Sequence, residues 1–188
     1  LKIKDGSWYY PNGNQVGLLL LQYILNNKEN ISNDAKVITT VVSTPMIDVV
    51  APAENVGVIK TLTGFKYIGE KIRQFESKEI EGSYLFGFEE SYGYLIGTHA
   101  RDKDAIVTSL VIAEMAAYYE SKGTSIYEEL QKFYGKYGFY LEGIESFTLT
   151  GKDGIEKMSA LMSDLRGSVK EKILDKKVKI IKDFQEQK

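Results

Sequence analysis

Two stretches close together in the chain concentrate the side chains able to do chemistry. The first is Gly87-Phe88-Glu89-Glu90-Ser91-Tyr92-Gly93, and the second is Gly97-Thr98-His99-Ala100-Arg101-Asp102-Lys103-Asp104. Two adjacent carboxylates and a hydroxyl suit a grip on a polyhydroxylated ligand, because carboxylates accept hydrogen bonds from vicinal hydroxyls and charge-assisted bonds are the stronger kind. The flanking glycines let the backbone approach a ligand closely or adopt positive φ. Downstream, His99, Arg101 and Lys103 alternate, offering one titratable imidazole and two cations suited to a phosphate or a phosphosugar hydroxyl. Taken alone, a Glu-Glu pair is ordinarily a solvated turn and a single histidine ordinarily structural. Their clustering is what favours a site.

The elements that must position these residues alternate between strand and helix. Lys2 to Tyr10 reads as a short strand and turn, and Pro11-Asn12-Gly13-Asn14 breaks the chain before a buried helix from Val16 to Leu25. The compact β-branched run Val37 to Val42 is a strand, and Ser43-Thr44-Pro45 supplies the cap of a helix from about Pro45 to Ala51. Val56 to Leu62 is a strand. Ile68, Ile72 and Phe75 share one face of a helix from about Lys66 to Ser77. Tyr84 to Phe88 and Tyr92 to Ile96 are strands, and Asp102 is a cap for a long helix from Lys103 to about Ser121. That helix is apolar nearly all round, which predicts packing between layers. The pattern predicts an α/β layered domain over residues 1–123. Residues 124–188 read as linker helices (Ser125 to Tyr134, Gly151 to Arg166) and extended segments (Phe139 to Leu149, Val178 to Phe184). They form a C-terminal α+β extension with too little core for a complete domain.

The composition excludes several classes. There is no cysteine, hence no disulfide, thiolate metal site or thiol nucleophile, and the single histidine rules out a multi-histidine metal centre. Net charge is −2 with scattered basic residues, which gives no nucleic-acid footprint. The longest apolar block, Ala105 to Tyr119, is interrupted by Thr108, Ser109 and Glu114, so no membrane span is expected. Leu1-Lys2-Ile3-Lys4-Asp5 lacks the apolar region of a signal peptide, and the expected location is cytoplasmic.

The motif Gly-x-Glu-Glu-Ser-x-Gly followed by His-x-Arg-x-Lys-Asp resembles the sugar-specificity loop and its sequel in the third domain of the α-D-phosphohexomutases, the phosphoglucomutase/phosphomannomutase family. Ser43-Thr44-Pro45 is similar to the start of that domain. Leu62-Thr63-Gly64-Phe65-Lys66-Tyr67-Ile68-Gly69 is similar to its Thr-Gly-aromatic-Lys loop. The order and spacing of all three agree, and the resemblance runs into the tail and implies a domain III-like α/β/α layered fold with a mixed sheet. It implies an internal piece of a mutase that interconverts hexose 1-phosphate and hexose 6-phosphate through a bisphosphorylated intermediate. The family's phosphoserine lies in a first domain, its Mg²⁺ in an Asp-rich loop of a second, and a hexose 1,6-bisphosphate serves as activator.

On that resemblance, Glu89 and Ser91 hold sugar hydroxyls, with Glu90 supporting the turn or sharing that role. Gly64 and Phe65 belong to the substrate loop, and Lys66 and His99 are the candidates for acid–base assistance. Arg101 and Lys103 stabilise phosphate charge, and Asp104 secures a helix start. No metal ligand is expected in this chain, whose expected partners are a hexose phosphate and other domains of its own parent chain. The family's nucleophile, metal and C-terminal phosphate loops have no counterpart here, so the piece alone is expected to be inactive. Glucose 1-phosphate ranks first, then mannose and pentose phosphates. A non-catalytic sugar-phosphate-binding module and a purely structural domain are the other classes.

Overall fold

The computed structural model describes Leu1, Ile3 and residues 6–143, 148–168, 171–173 and 175–184. Two compact units follow one another, Leu1–Glu142 and Gly143–Lys188.

In the first unit, Asn12 starts helix α1 (Gly13–Asn27) with a reciprocal capping box. Its side chain accepts from the Gln15 backbone N–H, and Gln15 Oε1 accepts from the Asn12 N–H, both at 2.9 Å. The leucines Leu18 to Leu21 are all buried. Strand β1 (Ala35–Thr40) leads to α2 (Ile47–Ala53) and β2 (Gly57–Thr61). Gly64, at φ +118°, then turns the chain into α3 (Phe65–Glu76). Strands β3 (Ser83–Glu89) and β4 (Gly93–Ile96) flank the Glu-Glu-Ser turn, and α4 (Ala105–Ser121) and α5 (Ile126–Tyr137) complete the unit.

The strand order is β2-β1-β3-β4, with β1 parallel to both β2 and β3 and β4 antiparallel to β3. Side-chain alternation sends neighbouring residues to opposite faces. Val37, Phe86, Phe88 and Tyr94 join a core with α1, α2, α4 and α5, whereas Ile38 and Leu95 join a second core with Phe65, Ile68, Ile72 and Phe75 of α3. The result is the expected α/β/α layering around a mixed sheet.

Several boundaries differ from expectation for physical reasons. Thr44 Oγ1 accepts from the Met46 N–H at 3.2 Å, but α2 has no side-chain cap bond at its own start, because its cap position is Met46, which has no side-chain oxygen. Asp104, not Asp102, caps α4, its Oδ1 accepting from the Ile106 and Val107 N–H groups at 2.9 Å each. Among the described residues of the first unit, the all-round apolar surface of α4 is covered on one side only. Thr108, Met115 and Tyr119 are buried, while Ile106 and Leu110 are 85% and 68% exposed. Finally, α5 is not outside the first unit, as a boundary near Gly123 would have it: Ile126, Leu130 and Phe133 are buried in the core that α1 builds.

The second unit holds α6 (Gly151–Gly167) and a short antiparallel pair, β5 (Lys172–Ile173) with β6 (Lys176–Lys177). The expected strand over Val178–Phe184 is absent, since the pairing residues precede it. Of the expected strand Phe139–Leu149, residues 139–143 and 148–149 are not extended into a ladder, and 144–147 lie outside the described residues. Leu130, fully buried, tests the membership of α5 in the core. Leu130→Ala is expected to lower the unfolding free energy by about 2–5 kcal/mol, measured by denaturant titration. A near-zero change would return α5 to the status of a linker.

Candidate functional site

The carboxyl-terminal ends of β1, β2 and β3 lie along one edge of the sheet, where open α/β sheets bind ligands. Successive connections reverse direction between β1 and β3, and the Glu-Glu-Ser turn follows β3 at that point. Glu89 is the last residue of β3 and pairs with Gly93, the first of β4, so the turn between them is closed by the sheet itself.

The two carboxylates of the turn face different neighbours. Glu89 is 8% exposed, and its Oε1 accepts from the Gly64 N–H at 3.0 Å. Its Oε2 runs beside Gly93, where a Cβ would stand 3.0 Å away, and the stem of Lys103 crosses the same glycine. Gly93 therefore leaves room beside the buried acid by lacking a side chain, whereas Gly64 is needed for its positive φ. Glu90 instead turns to β1, its Oε2 accepting from Thr40 Oγ1 at 3.2 Å and Ser43 Oγ at 3.3 Å. Its bonds hold the turn to the neighbouring strand, which favours the supporting role over the sugar-gripping one. Ser91 is exposed at the turn's tip. Tyr92 is exposed with φ +63°, an uncommon conformation for a bulky residue.

Of the Thr-Gly-aromatic-Lys loop, Gly64 meets Glu89 directly. Phe65 is 2% exposed and belongs to the α3 core, so its ring is a floor rather than a free contact. The Lys103 ammonium stands 5.7 Å from that ring centroid and 3.2 Å from Asp102 Oδ1. Lys66 is exposed, its Nζ 4.9 Å from the Tyr67 ring centroid.

His99 and Arg101 are placed differently from each other. His99 Nε2 lies 2.7 Å from Asp104 Oδ2, so one carboxylate both starts α4 and orients the imidazole. The hydrogen bond with His99, followed by the α4 backbone N–H groups, holds the Asp104 carboxyl below its usual range. Arg101 is spent on structure: it donates to Glu76 Oε2 at 2.5 Å and to the Thr98 and Ala100 carbonyls at 2.6 and 3.0 Å. The sequence thus picked out Glu89, Gly64, Phe65 and Lys103, which the fold gathers, while Thr40 was missed and Ser43 was read as a helix cap and domain start and not as a holder of Glu90. Nothing local pairs either with Glu90, because they lie 50 and 47 residues from it. Among the described residues, no group of three or more His, Cys, Asp or Glu side chains is placed to hold a metal ion, and no helix is long and apolar enough to cross a membrane.

The fold is an α/β/α domain whose sheet carries this turn at its switch point, and comparison with known proteins identifies its family. The family model for the phosphoglucomutase/phosphomannomutase alpha/beta/alpha domain III matches residues 12–137. The chain belongs to this family. It is 33% identical over 181 residues to a phosphoglucomutase of Staphylococcus haemolyticus, covering 96% of this chain and 32% of that relative. To a Staphylococcus aureus phosphoglucomutase it is 34% identical over 175 residues, covering 93% and 31%. A crystal structure of a putative phosphomannomutase from Thermus thermophilus superposes with a TM-score of 0.56 at 25% identity, covering 68% of this chain and 26% of that one. The chain therefore spans about a third of the length of the curated relatives it matches.

The Asp104 arrangement carries a signed pH dependence. Because its folded pKa is depressed, its contribution is present above the unfolded value and lost as pH falls through the folded one. Asp104→Ala is expected to lower the melting temperature at pH 7, with the gap from the unmodified chain closing as pH drops below about 4. Melting curves from pH 7 to pH 3 check this, and a gap independent of pH would contradict it.

Proposed function

We propose that this chain is the sugar-recognition domain of an enzyme that interconverts hexose 1-phosphate and hexose 6-phosphate. The observation that carries the reading is the buried Glu89 carboxylate, held by Gly64 at the switch-point edge with glycine on its other side. A carboxylate anchored by one oxygen keeps acceptor capacity for vicinal hydroxyls, and a fixed acceptor loses little freedom on binding. Ser91, at the tip of the same turn, adds a hydroxyl that donates or accepts. Lys103 and Lys66 supply positive charge for a phosphate, and His99, oriented by Asp104, is the candidate to accept and return a proton at the attacking hydroxyl. Glu90, Phe65 and Arg101 support these groups from behind.

The same turn must accept the sugar in two orientations if the two phosphate positions exchange through a bisphosphorylated intermediate. Acceptors without charge-specific partners for one end of the sugar suit that need. The phosphoserine, and a Mg²⁺ that would offset charge on the transferring phosphoryl group, would come from other domains of a longer chain, and hexose 1,6-bisphosphate would prime the serine. The exposed apolar side of α4, with Ile106 and Leu110, is where such a domain would cover this one. A cytoplasmic location accords with this substrate class.

The test uses the full-length protein that contains this chain. Glucose 1-phosphate is expected to be isomerised in preference to mannose 1-phosphate and ribose 1-phosphate, with Mg²⁺ and bisphosphate present. Glu89→Gln is expected to reduce kcat/KM by about 10- to 100-fold, as loss of a charged hydrogen-bond acceptor implies. The 188 residues alone are expected to give no turnover. Preference for ribose 1-phosphate would reassign the substrate to a pentose. Sugar-phosphate binding without turnover by the full-length protein would favour a non-catalytic binding module.

A further inference from the structure

The first turn of α1 lies directly against the back of the Glu89–Gly93 turn, and the contact is between main chains. A Cβ built on Gly13 would overlap the Glu90 carbonyl oxygen, and would stand 2.6 Å from the Glu90 carbonyl carbon and 2.8 Å from the Tyr92 nitrogen. No flexible side chain is available to retreat from it. Hydrogen bonds surround the contact: Tyr94 Oη donates to the Gly13 carbonyl at 2.9 Å, and Tyr92 Oη donates to the Pro11 carbonyl at 3.1 Å. Buried Asn14 accepts from the Thr44 N–H at 3.0 Å, next to the Ser43 that holds the Glu90 carboxylate.

Gly13 is not in the left-handed region, so its backbone tolerates any residue, and alanine would ordinarily strengthen the helix. The absence of a side chain is therefore needed for the close approach and not for the local conformation. We propose that Gly13 is a positioning residue for sugar recognition: it lets α1 seat under Glu90–Tyr92 and so sets the direction in which Glu89 and Ser91 point. Tyr92, whose positive φ is uncommon for its bulk, is the strut that ties the far side of the turn to Pro11, in the segment leading into α1. This inference rests on the sugar-recognition reading of the turn.

The experiment compares Gly13→Ala and Tyr92→Phe with the unmodified full-length protein. It reads KM and kcat for glucose 1-phosphate and mannose 1-phosphate, and amide hydrogen exchange at Glu90 to Gly93. Gly13→Ala is expected to raise KM by about 10- to 100-fold and to change the glucose-to-mannose preference, as a displaced binding group does. Tyr92→Phe, which adds no bulk, is expected to raise KM by about 2- to 10-fold. Both should speed exchange at the turn amides, whereas a merely structural residue would lower the melting temperature without altering sugar preference. Unmodified KM, preference and exchange in Gly13→Ala would overturn the proposal, and if that variant does not fold, Tyr92→Phe decides on the same readouts. If the unmodified protein turns over no sugar phosphate, the functional reading fails on its own. The exchange rates then still decide whether Gly13 holds the turn.

Discussion

Neighbouring residues on an extended strand face opposite ways, and the end of β3 makes that constraint a division of roles between two carboxylates. Phe88 enters the α1 side of the sheet, Glu89 turns to the α3 side where Gly64 meets it, and Glu90 turns back to Thr40 and Ser43. One acid is thereby presented and the other is used to fasten the turn that presents it. Charge removed from water needs donors near it, and each acid finds them on a different element. An exchange of the two roles would require the strand to slip by one residue, which would also expel Phe88 from the core.

The same constraint explains why the site stands where it does. Thr40, Glu89 and the Gly64 loop are the ends of three parallel strands, so their backbone groups converge at one edge without any long loop having to carry them there. The cations are less deeply built in. Lys103 rests over Phe65, and Arg101 is tied to Glu76 and to the carbonyls of its own loop. The acidic part of the site is thus organised by the sheet, whereas His99, Arg101 and Lys103 hang on the segment between β4 and α4, where Asp104 anchors His99 and the helix start.

Much of this was legible in the residues. The spacing of Ile68, Ile72 and Phe75 is the buried face of α3, and the β-branched run at Val37 is the central strand. The ordered motifs brought Gly64, Glu89 and Lys103 to one place. What could not be read depends on partners far away in the chain. Periodicity shows that α4 is apolar on all sides, but not that Ile106 and Leu110 stay exposed among the described residues. The breaker at Asn12-Gly13-Asn14 announces a helix start. It does not announce that the backbone there presses on Glu90, because nothing local distinguishes a glycine chosen for a turn from one chosen for a close approach. The cap moved from Asp102 to Asp104 because two carboxylates in one short loop compete and only geometry chooses between them.

The strand order also governs the sequence of events by which a nascent chain becomes this domain. The central strand β1 is made before either of its neighbours. It gains β2 soon after, but its other edge stays open until Ser83 and the residues beyond it have emerged. High sequence separation of this kind slows assembly and prolongs the exposure of an unpaired strand. The acid that fastens the turn and the two hydroxyls waiting for it on β1 and just beyond it therefore meet only when β3 docks. The Glu89–Gly93 turn is consequently fastened only after β3 docks, and any interruption of synthesis before Glu90 leaves β1 with an open, adhesive edge.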